Sequence, residues 1–438
     1  MNGADHDRTT AGFKVRIPVD EATETLREAV AARQDGDGPL TGTEQVPLET
    51  ADGRVLATPI TADRNVPHYE RAAMDGYAVR AADTFGSSDR SPELLRVADD
   101  ADGSGGDDGT APTATVTPGT AARVHTGSAL PDGADAVVMI EHVDEFDSAA
   151  ELEVTDAVAE GENVAPVGED VDANQHLYDA GHRLRPSDLG LLRSVGRREV
   201  TVSRPPTVGV IPTGEELVER DPGPGEVIET NGLTVSRLVD RWGGRATYRS
   251  VVTDDADSLR VAIERDLTKD IVVTTGGSSV GERDLLPEVI DDIGEVLVHG
   301  VGLKPGHPVC LGVVEDTPVL ALPGYPVACI VNAVQFLRPA LRWFEGTDPD
   351  PHPTTQARLE RKIPSEPGTR TFARVQLSRR DDEPGADEPA VAATPTRASG
   401  SGVLSSVALA DGWVVVPDDR EGIPAGETVA VENWESHP

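Results

Sequence analysis

From residue 205 onward the chain alternates short apolar runs with helix-patterned stretches, an order that a parallel sheet covered by helices satisfies and an all-helical or all-strand fold does not. In the middle of this region Ile271, Val272 and Val273 read as a buried strand that opens into Thr274, Thr275, Gly276, Gly277, Ser278 and Ser279, with a helical segment beginning near Asp284. Glycines let the main chain approach an anion, amide hydrogens converge on it, and the following helix adds the positive end of its dipole. The loop therefore reads as a phosphate cradle. It is neither a Walker A motif nor GxGxxG, and an ordinary strand-to-helix turn has the same composition. Two further loops follow apolar strands, Lys304-Pro305-Gly306-His307-Pro308 and Leu322-Pro323-Gly324-Tyr325-Pro326. Together the three predict one shared edge of a parallel sheet, where open α/β sheets bind their ligands.

The same alternation sets the boundaries of a doubly wound α/β domain over residues 205–345. A strand at 208–211 ends in Pro212, Thr213, Gly214, Glu215 and Glu216. A helix at 232–242 buries Val235, Leu238, Val239 and Trp242, and a strand at 246–252 leads to Thr253, Asp254 and Asp255. Leu259, Ala262, Ile263 and Leu267 mark a helix; strands lie near Val296, Val309 and Val319, and a helix at 327–341 closes the unit. Upstream, residues 18–32 have helical spacing and 45–59 read as strand, turn and short helix. Residues 63–160 form a β-rich insertion in which Asp75-Gly76 reads as a tight turn. A helix at 187–195 turns Leu189, Leu192 and Val195 inward. Residues 13–62 and 161–204 then make a discontinuous, extended linker and dimerisation domain. Beyond the proline-rich stretch 348–353, segments 371–377, 399–406, 413–416 and 428–431 predict a small β-barrel over 346–438. Residues 1–12 and the low-complexity run 99–111 are expected to be disordered.

Charge narrows the function classes. The 438 residues carry a formal net charge of −38, and lysine occurs only at Lys14, Lys269, Lys304 and Lys362. Such self-repulsion destabilises a compact chain in dilute buffer, whereas in molar salt the Debye length falls to about 3 Å and screens it. The composition predicts a halophilic, cytoplasmic protein, excludes nucleic acid as a partner and offers no membrane-spanning run. Cys310 and Cys329 sit in apolar segments and read as buried free thiols. Against this background the acidic residues at strand ends stand out: Glu216 after the first strand, Asp254 after the second and Asp284 after the third. Each alone reads equally as a helix cap or a solvated charge. Three beside a phosphate loop call for a cation, and oxygen ligands favour Mg²⁺.

The ordered blocks MDGYAV (74–79), HTGSALPDGADAVVMIE (125–141), GEDV (168–171), PTGEEL (212–217), TTGGSSVGERD (274–284), LKPGHP (303–308), LPGYPV (322–327) and SGSGVLSS (399–406) resemble the MoeA/gephyrin E-domain family, the molybdopterin molybdenumtransferases, along nearly the whole chain. The resemblance implies a MogA-like α/β domain and a homodimer with active sites shared between subunits, working beside other molybdenum cofactor biosynthesis proteins. It implies insertion of molybdate into adenylylated molybdopterin with Mg²⁺-dependent release of AMP. Asp75, Thr126 and Asp170 would approach from the partner subunit, Glu216, Asp254 and Asp284 would serve the metal and nucleotide, and Lys304 would neutralise anionic oxygens. The molybdopterin-binding set would comprise Thr126, Asp170, Thr213, Gly214, Gly276, Gly277, Ser278, Ser279, His307, Pro323, Gly324, Pro326 and Ser401.

Four departures from the family pattern bear on this reading. His307 replaces the second lysine of KPGKP, Gly300 replaces a further lysine, Tyr325 stands in the family's PGNP, and Glu215 replaces the aspartate of STGDEL. Two other functions therefore stay open: a molybdopterin adenylyltransferase, and a divergent paralogue that binds molybdopterin as a carrier, or handles tungstate, without inserting molybdenum.

Overall fold

The computed structural model describes residues 16–33, 38–98, 114–146, 151–276, 285–380, 389–396 and 400–436. The chain divides into two compact units, Met1–Glu44 with Val202–Pro438, and Gln45–Thr201.

The first unit is built on a six-stranded sheet of β1 (Thr207–Pro212), β2 (Arg245–Tyr248), β3 (Ile271–Thr275), β4 (Glu295–His299), β5 (Cys310–Val314) and β6 (Thr317–Leu322), in the order β2-β1-β3-β6-β5-β4. Neighbours among β2, β1, β3 and β6 run parallel. The sheet is nevertheless mixed, because β5 is antiparallel to both β6 and β4. Only Glu315 and Asp316 separate Val314 from its partner Thr317, and so short a link permits only a hairpin. Since β4 again runs with β6, the segment joining β4 to β5 lies on the edge where β1, β3 and β6 end. The Lys304 loop thus reaches the predicted edge by a different route.

Alternation along each central strand covers both faces. Ile271 and Val273 pack with Val208, Leu320, Val235 and Leu341 on one side. Val272 packs with Ile211, Val319, Leu259, Ile263 and Ile290 on the other. Helices Asn231–Arg241, Ala256–Asp266 and Leu285–Ile293 fall close to their predicted positions. The last helical stretch is longer than expected, Pro326–Asn332 continuing through a π-type turn at Ala333–Leu337 into Arg338–Phe344. Conversely, β2 stops at Tyr248; beyond it a single bridge joins Val252 to Thr213. Helix Val19–Ala31 buries Val19, Ala22, Leu26 and Val30 in the same core as the α/β sheet.

Toward the C-terminus, strands Thr354–Leu359, Arg370–Arg379, Val391–Pro395, Gly412–Val416 and Thr428–Glu432 close into a five-stranded barrel. The first and third of these were not predicted. Residues 400–404, expected to belong to an extended segment, instead turn into the short helix Ser405–Ala408, since Gly400 and Gly402 supply no side chain to pack on a sheet.

In the second unit, strands Ala136–Met139, Gly76–Val79, Thr120–Val124, Glu93–Val97, Glu151–Val154 and Val143–Glu145 form, in that order, the β-rich sheet that the sequence predicts. Asp75-Gly76 is not a tight hairpin turn. Gly76 begins a central strand paired with Val124 and Met139, and a Cβ there would fall on the Val138 carbonyl. Helix Pro186–Ser194 buries Leu192 but leaves Leu189 only half-buried. Its unforeseen buried residue is Asp188, which accepts from Arg185, Tyr178 and His182 at 2.8–3.1 Å. Those bonds hold its carboxyl far below the usual range. Residues 1–12 and 99–111 lie outside the described residues. No helix among the described residues is long and apolar enough to cross a membrane.

Candidate functional site

On the ligand edge of the first unit, β1 delivers Thr213 and Gly214. The Gly214 amide donates to the Val252 carbonyl (3.1 Å), joining this loop to the one that carries Asp254. Gly214 has φ +147°, and its missing side chain makes room for the Glu216 carboxyl: a Cβ would stand 2.8 Å from Oε2. Asp255, not Asp254, caps helix Ala256–Asp266, accepting from the Ser258 amide at 3.0 Å. Asp254 does not cap this helix and accepts instead from the Glu215 amide. Its Oδ1 is buried and unpartnered, and its pKa is raised, first by desolvation, then by the nearby charges of Glu216 and Glu215.

A carboxylate that repels its neighbours and keeps an oxygen unpaired is a fitting donor for a hard cation. Glu216 and Asp254 thus meet as expected, while Asp284, the third predicted ligand, lies outside the described residues. Among those residues no group of three or more His, Cys, Asp or Glu could hold a metal ion.

The predicted cradle is described only as far as Gly276; Gly277, Ser278 and Ser279 lie outside. Gly276 has φ +144°, its amide donates to the Leu322 carbonyl (3.1 Å), and a Cβ would fall on the Thr213 carbonyl. Only glycine permits that approach. The hydroxyl of Thr213 is buried and without a hydrogen-bond partner. Across the edge, a Cβ on Gly324 would stand 3.4 Å from Gly276 Cα. The Pro323-Gly324 loop is held by Asn231, whose Nδ2 donates to the Gly324 carbonyl (2.7 Å), and Pro326 opens the next helix. The Val327 amide donates to the carbonyl of Ser401 (3.0 Å), which brings the 400–404 turn to the same place.

On the remaining loop, Lys304 Nζ pairs with Glu366 at 3.1 Å, both side chains exposed. Gly306, at φ +121°, is fixed by buried Asn332, whose Nδ2 donates to the Gly306 and Ala328 carbonyls (2.9 and 2.8 Å). His307 titrates below its ordinary value because of burial and then of Arg16, so it is neutral at pH 7 and does not restore the lysine charge. Gly300 has φ +91°, a conformation that a lysine adopts only under strain. Both cysteines are buried free thiols, as expected.

In the second unit, Asp75 and Thr126 come together. Asp75 Oδ1 accepts from the Thr126 amide (2.6 Å) and hydroxyl (2.9 Å), and these bonds, aided by His125 and Arg123, lower its pKa. Asp170 is exposed on a loop whose amide donates to the Val66 carbonyl (2.9 Å). Asn231 and Asn332 were missed by sequence reasoning. For Asn332 a signal was present, a polar residue among the apolar residues of its helix; Asn231, at the first position of its helix, gave none.

Strand-end loops gathered around carboxylates, beside a glycine that admits no side chain, define an α/β nucleotide- or cofactor-binding edge followed by a small barrel. Comparison with known proteins makes this specific. Residues 17–196 match the family model for the MoeA N-terminal region (domains I and II), 209–343 a probable molybdopterin binding domain, and 356–434 the MoeA C-terminal region (domain IV). The chain is 32% identical to the molybdopterin molybdenumtransferase of Bacillus subtilis, over 95% of this chain and 93% of that one. A Methanocaldococcus jannaschii relative is 35% identical over 89% and 91% of the two chains. Two crystal structures of a molybdopterin biosynthesis MoeA protein from Pyrococcus horikoshii superpose with TM-scores of 0.78 and 0.77, at 32% and 30% identity. They cover 96% and 95% of this chain and 100% and 99% of theirs. The chain belongs to the MoeA family.

Proposed function

We propose that this chain is a molybdopterin molybdenumtransferase, which accepts adenylylated molybdopterin, inserts molybdate and releases AMP. The observation that carries the reading is Asp254 at a sheet edge, its pKa raised by burial and then by the charges of Glu216 and Glu215, with Oδ1 unpaired. Mg²⁺ bound there, with Asp284 as a third ligand, would neutralise the bridging oxygens of a pyrophosphate. The chain's own residues then have separable tasks. Gly276, with Gly277, Ser278 and Ser279 beyond it, would hold the pterin phosphate. Lys304 would exchange its exposed partner Glu366 for substrate oxygens, a small loss since exposed ion pairs contribute about 0–1 kcal/mol. Thr213, Gly214, His307, Pro323, Gly324, Pro326 and Ser401 would shape the pocket.

The domain boundaries 13–62 with 161–204, 63–160, 205–345 and 346–438 belong to the same proposal. So does a cytoplasmic homodimer in which Asp75, Thr126 and Asp170 complete the partner's site. Neutral His307 and the backbone at Gly300 favour one second reading, a carrier that binds molybdopterin without turnover.

Purified chain in molar KCl, given adenylylated molybdopterin, Mg²⁺ and molybdate or tungstate, tests these readings. AMP release with metal insertion is expected and should vanish in Asp284→Ala. ATP consumption would indicate an adenylyltransferase, and tight binding without AMP a carrier. Mixing Asp75→Ala with Asp284→Ala chains should restore part of the activity if sites are shared; no restoration would count against the shared dimer.

A further inference from the structure

Tyr325 has no part in the scheme above, yet it is placed where the ligand-edge loops meet. Its side chain is 61% exposed, although it follows directly on Gly324, whose Cβ would stand 3.4 Å from Gly276 Cα. The ring rests on Gly402, where a Cβ would stand 3.3 Å from Cδ1 and 3.7 Å from Cε1. Both flanking segments are fixed: Asn231 holds the Gly324 carbonyl, and the carbonyl of Ser401 accepts from the Val327 amide. An aromatic ring with its base braced by glycine backbone and most of its surface in solvent contributes little to the core. It has the form of a platform on which another flat ring can stack, a mode that is strong and tolerant of ring identity.

We propose that Tyr325 stacks on a planar heteroaromatic ring of the substrate. This rests on the molybdenumtransferase reading, whose substrate carries two such rings, adenine and pterin. The test uses the full chain, with Tyr325→Ala and Tyr325→Phe, titrated calorimetrically in molar KCl with AMP and separately with 6-hydroxymethylpterin. Tyr325→Ala should weaken one probe by at least ~5-fold, the low end of what stacking on an aromatic side chain contributes, while Tyr325→Phe stays within about twofold. Loss confined to AMP assigns the adenine, and loss confined to the pterin assigns the pterin. Melting temperatures should be unchanged, since the side chain is exposed. If Tyr325→Ala binds both probes as tightly as the unsubstituted chain, the stacking role is overturned while the function, read from AMP release, stands. If the unsubstituted chain binds neither probe, the stacking role falls, and AMP release alone decides the functional reading.

Discussion

Asp254→Asn separates a carboxylate kept for a cation from one kept for the fold. In the metal-free protein Asp254 is a liability: Oδ1 is buried without a partner, and burial first, then Glu216 and Glu215, raise its pKa. Because the side chain remains partly solvated, a water-like dielectric is appropriate, and each neighbouring charge at about 5 Å then costs about 0.8 kcal/mol. Removing two such repulsions should stabilise the Asn variant by about 1–2 kcal/mol. An amide nitrogen turned toward Glu216 adds to this. For a unit of this size the melting temperature should rise ~2–8 °C in EDTA at pH 7.

The sign with pH follows. A folded-state pKa above the unfolded value means that the folded chain holds more protons in the window just above 3.8. Stability from this group therefore falls as pH rises through that window, and the advantage of the variant should disappear below it. Mg²⁺ should reverse the order: saturation at 100 times Kd adds about 2.7 kcal/mol to the unsubstituted chain and little to the variant. Differential scanning fluorimetry with and without Mg²⁺, paired with AMP release, reads all of this. An Asn variant less stable than the parent in EDTA, or equally stabilised by Mg²⁺, would refute the reasoning.

Three further outcomes are expected. Thr126→Val removes the hydroxyl bond to Asp75, so the acid limb of the pH–activity profile should move upward; an unmoved limb would detach Asp75 from the reaction. Gly276→Ala places a methyl on the Thr213 carbonyl at φ +144°, which should cost about 2–4 kcal/mol by chemical denaturation and abolish probe binding; a variant as stable as its parent would disprove the close approach. The net charge of −38 predicts a melting temperature that climbs steeply with KCl between dilute buffer and molar salt, and a flat response would remove the halophilic reading.

What could be read from the sequence depended on how local the cause was. The strand-loop-helix passages into Gly214, Gly276 and Gly324 were legible because apolar runs and glycines lie side by side in the chain. Strand direction was not: β5 and β6 are both largely buried, so neither alternates, and Glu315-Asp316 is not a glycine turn. Gly76 failed for the opposite reason, since Asp-Gly carries a strong local turn signal while the demand for glycine comes from Val138, across the sheet. Asn231 and Asn332 were hidden because the carbonyls that they hold lie 93 and 26 residues away. The pairing of Glu216 with Asp254 was foreseen from their equivalent places at strand ends. That Asp255 does the capping while Asp254 Oδ1 is left unpartnered needed coordinates.

The charge arrangement of the ligand edge completes the argument. On the proposed function, a phosphate-bearing substrate would approach Glu216 and Asp254 on a chain of formal net charge −38. Among the described residues of these loops, Lys304 is engaged with Glu366, His307 is neutral beside Arg16, and position 300 has a backbone that suits glycine. Uncompensated, phosphate oxygens against two carboxylates would be repelled rather than bound. On the proposed function, small cations from solution would share the task that lysines perform in the family pattern. On that view His307→Lys should lower the KCl concentration needed for half-maximal AMP release, whereas Gly300→Lys, strained at φ +91°, should destabilise the loop without doing so. Equal behaviour of the two variants would show that the cation deficit is not what the salt corrects.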